Sequence, residues 1–349
     1  MVITPGPARR IPAAAADLRL ILVKACRGAL LAPLGFAWLA ALAGGARAEE
    51  PWPQRPVHVV VSYGAGGAID VVARLLADPM AATLGKPVVV ENKPGAGSTI
   101  AAEAVARAAP DGYTVLVTGT AHAVMTALYP KVAIDPERDF QPISHLGNMP
   151  FVLAINPALP VTDYAGFVAY LTAHPNTVNF GSAGPGSSSD LGALLFAQMA
   201  HVAFVRVPYR STPAAMTALV AGEIGFMLDT QNVLVPQIRT GALRGLATST
   251  LERSPLLPAL PTLDALGLAG FDASSWQVML APAHTPKPVV ERLTEAVRAA
   301  LADPGVRQRY ADLGYQMPPA IGPEALAAFL ARETAKWSPL AKGSGATGG

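Results

Sequence analysis

Between Arg55 and Thr120 the spacing of apolar residues changes period several times. The run "RPVHVVVSY" is centred on four valines interrupted only by His58, as expected of a strand covered on both faces. After a glycine loop, "AIDVVARLLA" repeats its apolar positions at helical spacing. "KPVVVEN", "STIAAEAVARAA" and "YTVLVTGT" then predict strand, helix and strand, the βαβ rhythm of a mostly parallel sheet with helices on its faces.

The rhythm restarts after Met149. Helix patterns "DYAGFVAYLTAH", "SDLGALLFAQMA" and "PAAMTALVAGE" alternate with strand patterns "TVNFGS", "AFVRVPY" and "IGFMLDT". "LRGLATST" and the proline-rich "RSPLLPALPTLDALG" follow. The last piece, "SSWQVMLAPAHTPKPVVERLTEAVRAALADP", predicts a strand and a long helix, with a terminal helix behind them. That is too little for a third domain, so the economical arrangement returns it to the first unit. The expected organisation is a discontinuous lobe of residues 49–150 plus 276–342 and a continuous lobe of residues 151–275. The crossings fall near Phe151–Asn156 and Ser274–Leu280, and two crossings make a cleft. Residues 343–349, from "KGSGATGG", read as a flexible tail.

Composition changes the picture at the N-terminus. Of 349 residues 51% are hydrophobic, but part of that excess sits in "ALLAPLGFAWLAALAGGA", preceded by Arg9, Arg10, Arg19, Lys24 and Arg27 and ending in Ala46-Arg47-Ala48. A basic region, an apolar region and a small-x-small site make a signal peptide over residues 1–48, cut after Ala48. A membrane anchor is the competing reading, opposed by the short apolar stretch and by Pro33 and Gly35 within it. Lys24 and the apolar run placed after Cys26 argue against a lipoprotein. The formal charge of +2 also belongs to the leader: the mature chain keeps 20 basic and 23 acidic residues, a balance of −3. Nothing then argues for nucleic acid. The only cysteine is removed with the leader, which excludes disulfides, thiolate chemistry and cysteine metal sites in the mature chain. Export without disulfides fits a bacterial periplasm.

Three Gly/Ser loops precede helix patterns: "SYGAGGAID", "NKPGAGSTI" and "GSAGPGSSSD". Such loops hold anions, because the first N–H groups of a helix lack partners and carry the positive end of its dipole. A dinucleotide fingerprint fails, since Ile69 stands where the third glycine belongs, and a Walker loop fails for want of a lysine near Gly67. A nucleophile elbow also fails: Phe180 lies two residues before Ser182, and Ser189 two after Ser187. Six scattered histidines leave an exported hydrolase open as the alternative of another class.

The run from "WPQRPVHVVVSYGAGGAIDVVARLLA" through "GKPVVVENKPGAGSTIAAEAVARAAPDGYTVL" resembles the opening of the Bug (Bordetella uptake gene)/TctC family of periplasmic solute-binding proteins. "NFGSAGPGSSSDL", "VPYRSTPAAMTALVAGEI", "LRGLATST", "LPALPTL" and "SSWQVMLAPAHTP" extend the resemblance over nearly the whole mature chain. It implies an α/β, two-lobed type II periplasmic binding protein of Venus-flytrap form, with no catalysis, no metal and no cofactor. The implied partners are a small carboxylated solute and the permease of a tripartite tricarboxylate transporter, with the receptor a monomer. A sensor kinase ectodomain is the alternative receiver of the bound form. Asp190, Arg210-Ser211 and Gly225 depart from the family, where histidine, Lys-Gly and aspartate are common. Asp190 reads as a helix cap; facing the solute, it would repel a carboxylate.

The expected site takes the N–H groups of Tyr63 to Ala68, including Ala65, Gly66 and Gly67, with Tyr63 as a wall and Asp70 orienting the loop. Ser98 and Thr99 follow as ligand contacts or caps, and His122 as a carboxylate donor or a structural histidine. In the second lobe the expected residues are Ser182, Gly186, Ser187 and Ser188, then Tyr209 and Arg210 at a strand end. Asp229 would take an ammonium or hydroxyl group if the solute has one.

Overall fold

The computed structural model describes residue 2, residues 52–318 and residues 321–344. Apart from residue 2, the leader lies outside these, as do the last five residues. No helix among the described residues is long and apolar enough to cross a membrane.

The strands are β1 (Val57–Val61), β2 (Val88–Asn92), β3 (Thr114–Thr118), β4 (Phe140–Ile155), β5 (Asn179–Ser182), β6 (Val205–Pro208), β7 (Phe226–Thr230), β8 (Arg244–Thr248) and β9 (Ser274–Pro282). β1 lies between β2 and β3 and runs parallel to both. Its four valines are buried to 2% or less, which explains why the strand is apolar at every position but His58: helices cover both faces of the sheet. β9 pairs antiparallel with β3 and carries the sheet to β4.

β4 is shared. Its residues from Phe140 to Pro150 pair with β9, whereas Phe151 to Ile155 pair with β7 and β8. The change of partner falls between Pro150 and Phe151. Beyond it, β7, β5 and β6 form the second parallel set, in the order β4-β7-β5-β6. Two parallel sheets on one antiparallel connection give the two-lobed α/β fold.

The helices are α1 (Ala68–Leu84), α2 (Thr99–Ala106), α3 (Ala121–Leu128), α4 (Tyr164–Ala173), α5 (Ser188–Ala200), α6 (Thr212–Ala221), α7 (Gln231–Arg239), α8 (Lys287–Ala302), α9 (Pro304–Leu313) and α10 (Pro323–Gly343). α10 takes part in both cores. Leu326 packs with Val60, Leu116 and Trp276, while Trp337 and Ala341 pack with Phe151, Phe196 and Phe226. Trp276 and Trp337 each donate an indole N–H to Glu333 Oε2, at 2.6 Å. α10 also runs through Gly343, the first residue of the expected tail.

Candidate ligand site

In both lobes each parallel strand feeds a short loop and then a helix. Six of these helices begin at residues that line one cavity of about 410 Å3: Gly67 before α1, Ser98 before α2, Thr120 before α3, Ser187 before α5, Ser211 before α6 and Thr230 before α7. The convergence follows from topology, because loops at the carboxyl ends of parallel strands open on the same side. Each helix start contributes unpartnered N–H groups and the positive end of a dipole.

The loop amides are free to act. Gly64, Ala65 and Gly67 donate no hydrogen bond within the described chain, nor do Gly95, Ala96 and Gly97. In the second of these loops, Ala96, Gly97 and Ser98 have φ of 43°, 57° and 76°. A left-handed backbone at non-glycine residues costs about 1–3 kcal/mol each and is commonest at functional sites. Gly97 has a further reason to lack a side chain, since a Cβ there would overlap the Tyr129 ring.

Two hydroxyls on this wall are buried without partners. Thr120 is 3% exposed and its Oγ1 has no hydrogen-bond partner. Ser98, 2% exposed, lies beside the Tyr63 hydroxyl without closing a regular hydrogen bond to it. Desolvation pushes the Tyr63 phenol up, so it stays protonated and able to donate. A larger concavity of about 590 Å3 lies against Trp276, Phe329 and Glu333, but none of these six helix starts lines it. The smaller cavity is therefore the candidate site.

Behind the loops stand two matching anchors. Asp70 Oδ2 accepts the Gly66 N–H at 2.9 Å, and its Oδ1 accepts from Arg74 Nε at 3.0 Å and Asn92 Nδ2 at 2.9 Å. In the other lobe, Asp190 Oδ2 accepts the Gly186 N–H at 3.2 Å, and Arg206 Nη1 reaches both Asp190 oxygens at 3.1 and 3.2 Å. Desolvation opposes ionisation at Asp70, yet the hydrogen bonds from Arg74, Gly66 and Asn92 outweigh it and hold the carboxyl below its usual range. At Asp190 desolvation prevails over the Arg206 charge and the Gly186 amide, and the carboxyl is pushed up. Neither carboxylate lines the cavity.

Of the fifteen residues expected from the sequence, eight line the cavity: Tyr63, Ala65, Gly67, Ser98, Ser187, Ser188, Arg210 and Asp229. Arg210 is exposed and forms no ion pair among the described residues. Seven do not line it. Gly66 and Asp70 are bonded to each other. Gly186 packs against Leu128, which a Cβ would strike. Ser182 Oγ accepts from Gly184 N at 3.3 Å. Tyr209 is half-buried and packs against the cluster that holds Ala215 and Ile224, and Thr99 is buried in the first turn of α2. His122 is buried, with Nε2 donating to the Pro136 carbonyl at 3.1 Å and its ring edge-on to Phe140. Thr120, Tyr129, Ser211, Thr212, Ser275 and Val233 line the cavity without having been expected. A hydroxyl residue between a strand pattern and a helix pattern is a helix-cap signal that would have found Thr120 and Ser211.

Two lobes, a cleft between parallel sheets and helix starts converging on it define a solute-binding protein of the periplasmic type. Residues 72–345 match the tripartite tricarboxylate transporter family receptor, TctC, and the chain belongs to that family. It is 32% identical to protein BugT of Bordetella pertussis over 91% of this chain and 98% of that one. MatC from Rhodopseudomonas palustris, solved with bound malate, is 38% identical, with a TM-score of 0.77 over 83% of this chain and 100% of MatC. The R. palustris protein Rpa4515, solved with adipate, is 30% identical, with a TM-score of 0.78 over 84% of this chain and 98% of its own.

Proposed function

We propose that the chain is an extracytoplasmic receptor that captures a small carboxylated solute in this cavity and passes it unchanged to the permease of a tripartite tricarboxylate transporter. The observation that carries this reading is the convergence of six helix N-termini on one cavity that holds two unpartnered buried hydroxyls. Each helix start favours an anion by about 0.3–1 kcal/mol, and each hydrogen bond to a charged group adds about 1.5–3 kcal/mol. Micromolar binding needs about 8 kcal/mol, so an arginine clamp is not required. Malate and adipate in the two relatives are anions of this kind. Among the described residues no histidine lines the cavity to activate its serines, which favours binding over hydrolysis.

In this reading the lobes are residues 49–150 plus 276–342 and residues 151–275, the leader is removed after Ala48, and the mature protein works as a periplasmic monomer. The decisive test is to purify the chain from its native host without denaturation and identify the co-purified small molecule by mass spectrometry. A carboxylate that binds again in calorimetry and compacts the protein in solution scattering is expected. A neutral or cationic solute, with no carboxylate binding, would reject the proposal.

A further inference from the structure

The cavity is unequal in hydrogen-bonding character. Its first wall presents donors: free loop amides, the Tyr63 phenol and the hydroxyls of Ser98 and Thr120. The opposite corner is built around Asp229, 1% exposed at the end of β7 and part of the cavity lining. Asp229 Oδ1 accepts from Thr230 N at 2.7 Å and from Thr230 Oγ1 at 3.2 Å. Thr212 Oγ1 donates to both carboxylate oxygens, at 3.3 and 3.2 Å.

These bonds fix the polarity of the corner. A hydroxyl has one proton and two lone pairs, and the protons of Thr212 and Thr230 are spent on Asp229. What the two hydroxyls offer the cavity is therefore lone pairs, beside those of the carboxylate itself. Desolvation pushes the Asp229 carboxyl up, while donors from Thr230, Ser189 and Thr212 pull it back toward the ionised form. The Thr230 amide is a donor only, so at least one oxygen must remain an acceptor. No lysine or arginine pairs with Asp229 among the described residues, and Arg210 is the one cationic side chain in the lining.

We infer that the solute is bifunctional, with a carboxylate on the donor wall and an ammonium or hydroxyl group donating to Asp229. A second carboxylate in that corner would meet the acceptor oxygens of Asp229 and the hydroxyl lone pairs of Thr212 and Thr230. This inference rests on the carboxylate reading above and narrows it to one-carboxylate solutes bearing a donor.

The test is calorimetric titration of the mature, ligand-free protein with matched series of four, five and six carbons: the α,ω-dicarboxylate, the ω-amino acid, the ω-hydroxy acid and the plain monocarboxylate. The expected result is that the amino or hydroxy acid binds at least tenfold more tightly than the dicarboxylate and the monocarboxylate of its length. Asp229→Asn should bring that difference within about threefold, because an amide offers a donor as well as an acceptor. A dicarboxylate equal to or tighter than its amino and hydroxy partners in the wild type overturns the inference and leaves the carboxylate reading standing. A ranking that survives Asp229→Asn in a folded variant overturns Asp229 as its source. If no acid of the panel binds, the carboxylate reading itself falls. Should Asp229→Asn not fold, the wild-type ranking still decides.

Discussion

The Asp190 carboxylate accepts the amide of Gly186, four residues before it, at 3.2 Å. It therefore faces back into its own loop and toward Arg206 instead of the solute. Asp70 does the same for Gly66 in the other lobe, with Arg74 as counter-ion. Each lobe holds a glycine at positive φ, 82° at Gly66 and 75° at Gly186, by a carboxylate from the first turn of the following helix.

The Asp190 anchor depends on Arg206, whose side chain is 27% exposed against 5% for Asp190. Arg206→Met leaves a buried carboxylate without its cation and should cost on the order of 3 kcal/mol in urea unfolding. Adding Asp190→Asn, which keeps an acceptor for Gly186, should return more than half of the loss. Equal stabilities for the single and double variants would show that the pair does not hold the loop.

Thr120→Val separates folding from binding. Removing a buried hydroxyl without a partner should leave the ligand-free protein equally stable or more stable by about 1 kcal/mol, since no made hydrogen bond is lost. Affinity for the best-bound acid should fall about ten- to hundred-and-fiftyfold, as one donor to a charged acceptor disappears. Thermal unfolding of the free protein and calorimetry of the complex give the two numbers.

Two glycines of the first wall, Gly67 and Gly97, should respond differently. Gly67 has open space about it, with Gly64 O at 3.6 Å from where a Cβ would stand, so Gly67→Ala should fold normally. Gly67→Asp should also fold, yet lose at least a hundredfold in carboxylate affinity by bringing a negative charge to the helix start. Gly97→Ala puts a side chain at φ 57° and into Tyr129, and should cost about 1–3 kcal/mol of stability together with binding.

Acid should destabilise the protein through His122 and His145. Burial lowers each to about 4, with weaker opposition from the Pro136 carbonyl at His122 and from Asn148 and the Gly147 carbonyl at His145. A histidine held neutral in the native state leaves the unfolded chain to take up the proton first, so stability is complete above pH 6.5 and falls as the pH drops toward 4. Each contributes a loss of about 3 kcal/mol over that range. Asp190 and Asp229, both pushed up, have the opposite sign, with stability falling as the pH rises through their native values. The comparison is therefore between wild type and His122→Gln/His145→Gln. The variant's urea midpoint should be flatter between pH 6.5 and 4.

Much of this architecture is local, and the sequence carries it. Valine-rich runs, such as the one at Val57–Val61 with His58 as its one polar member, are strands because a strand covered on both faces suits them. The glycine and serine loops before α1, α2 and α5 are legible for the same reason: strand, turn and helix start lie within a few residues of each other. α3 and α7 are less legible, because "AHAVMTAL" and "QNVLVPQIR" are short and begin within three residues of a strand end.

Which side of each loop faces the solute is a tertiary decision. Gly66 and Gly67 are neighbours, yet one N–H turns to Asp70 while the other is left to the cavity. Ser182 ends β5 and Ser187 caps α5 five residues on, and of the two only Ser187 lines the cavity. Asp190 and Asp229 both follow small hydroxyl or apolar residues at element ends, but Arg206, sixteen residues from Asp190, draws one carboxylate out of the cleft. Strand and helix follow from the periodicity of adjacent residues. The direction of a polar side chain in a loop depends on which partner, distant in sequence, offers the hydrogen bond or charge that offsets its burial, and only the assembled sheets bring that partner within reach.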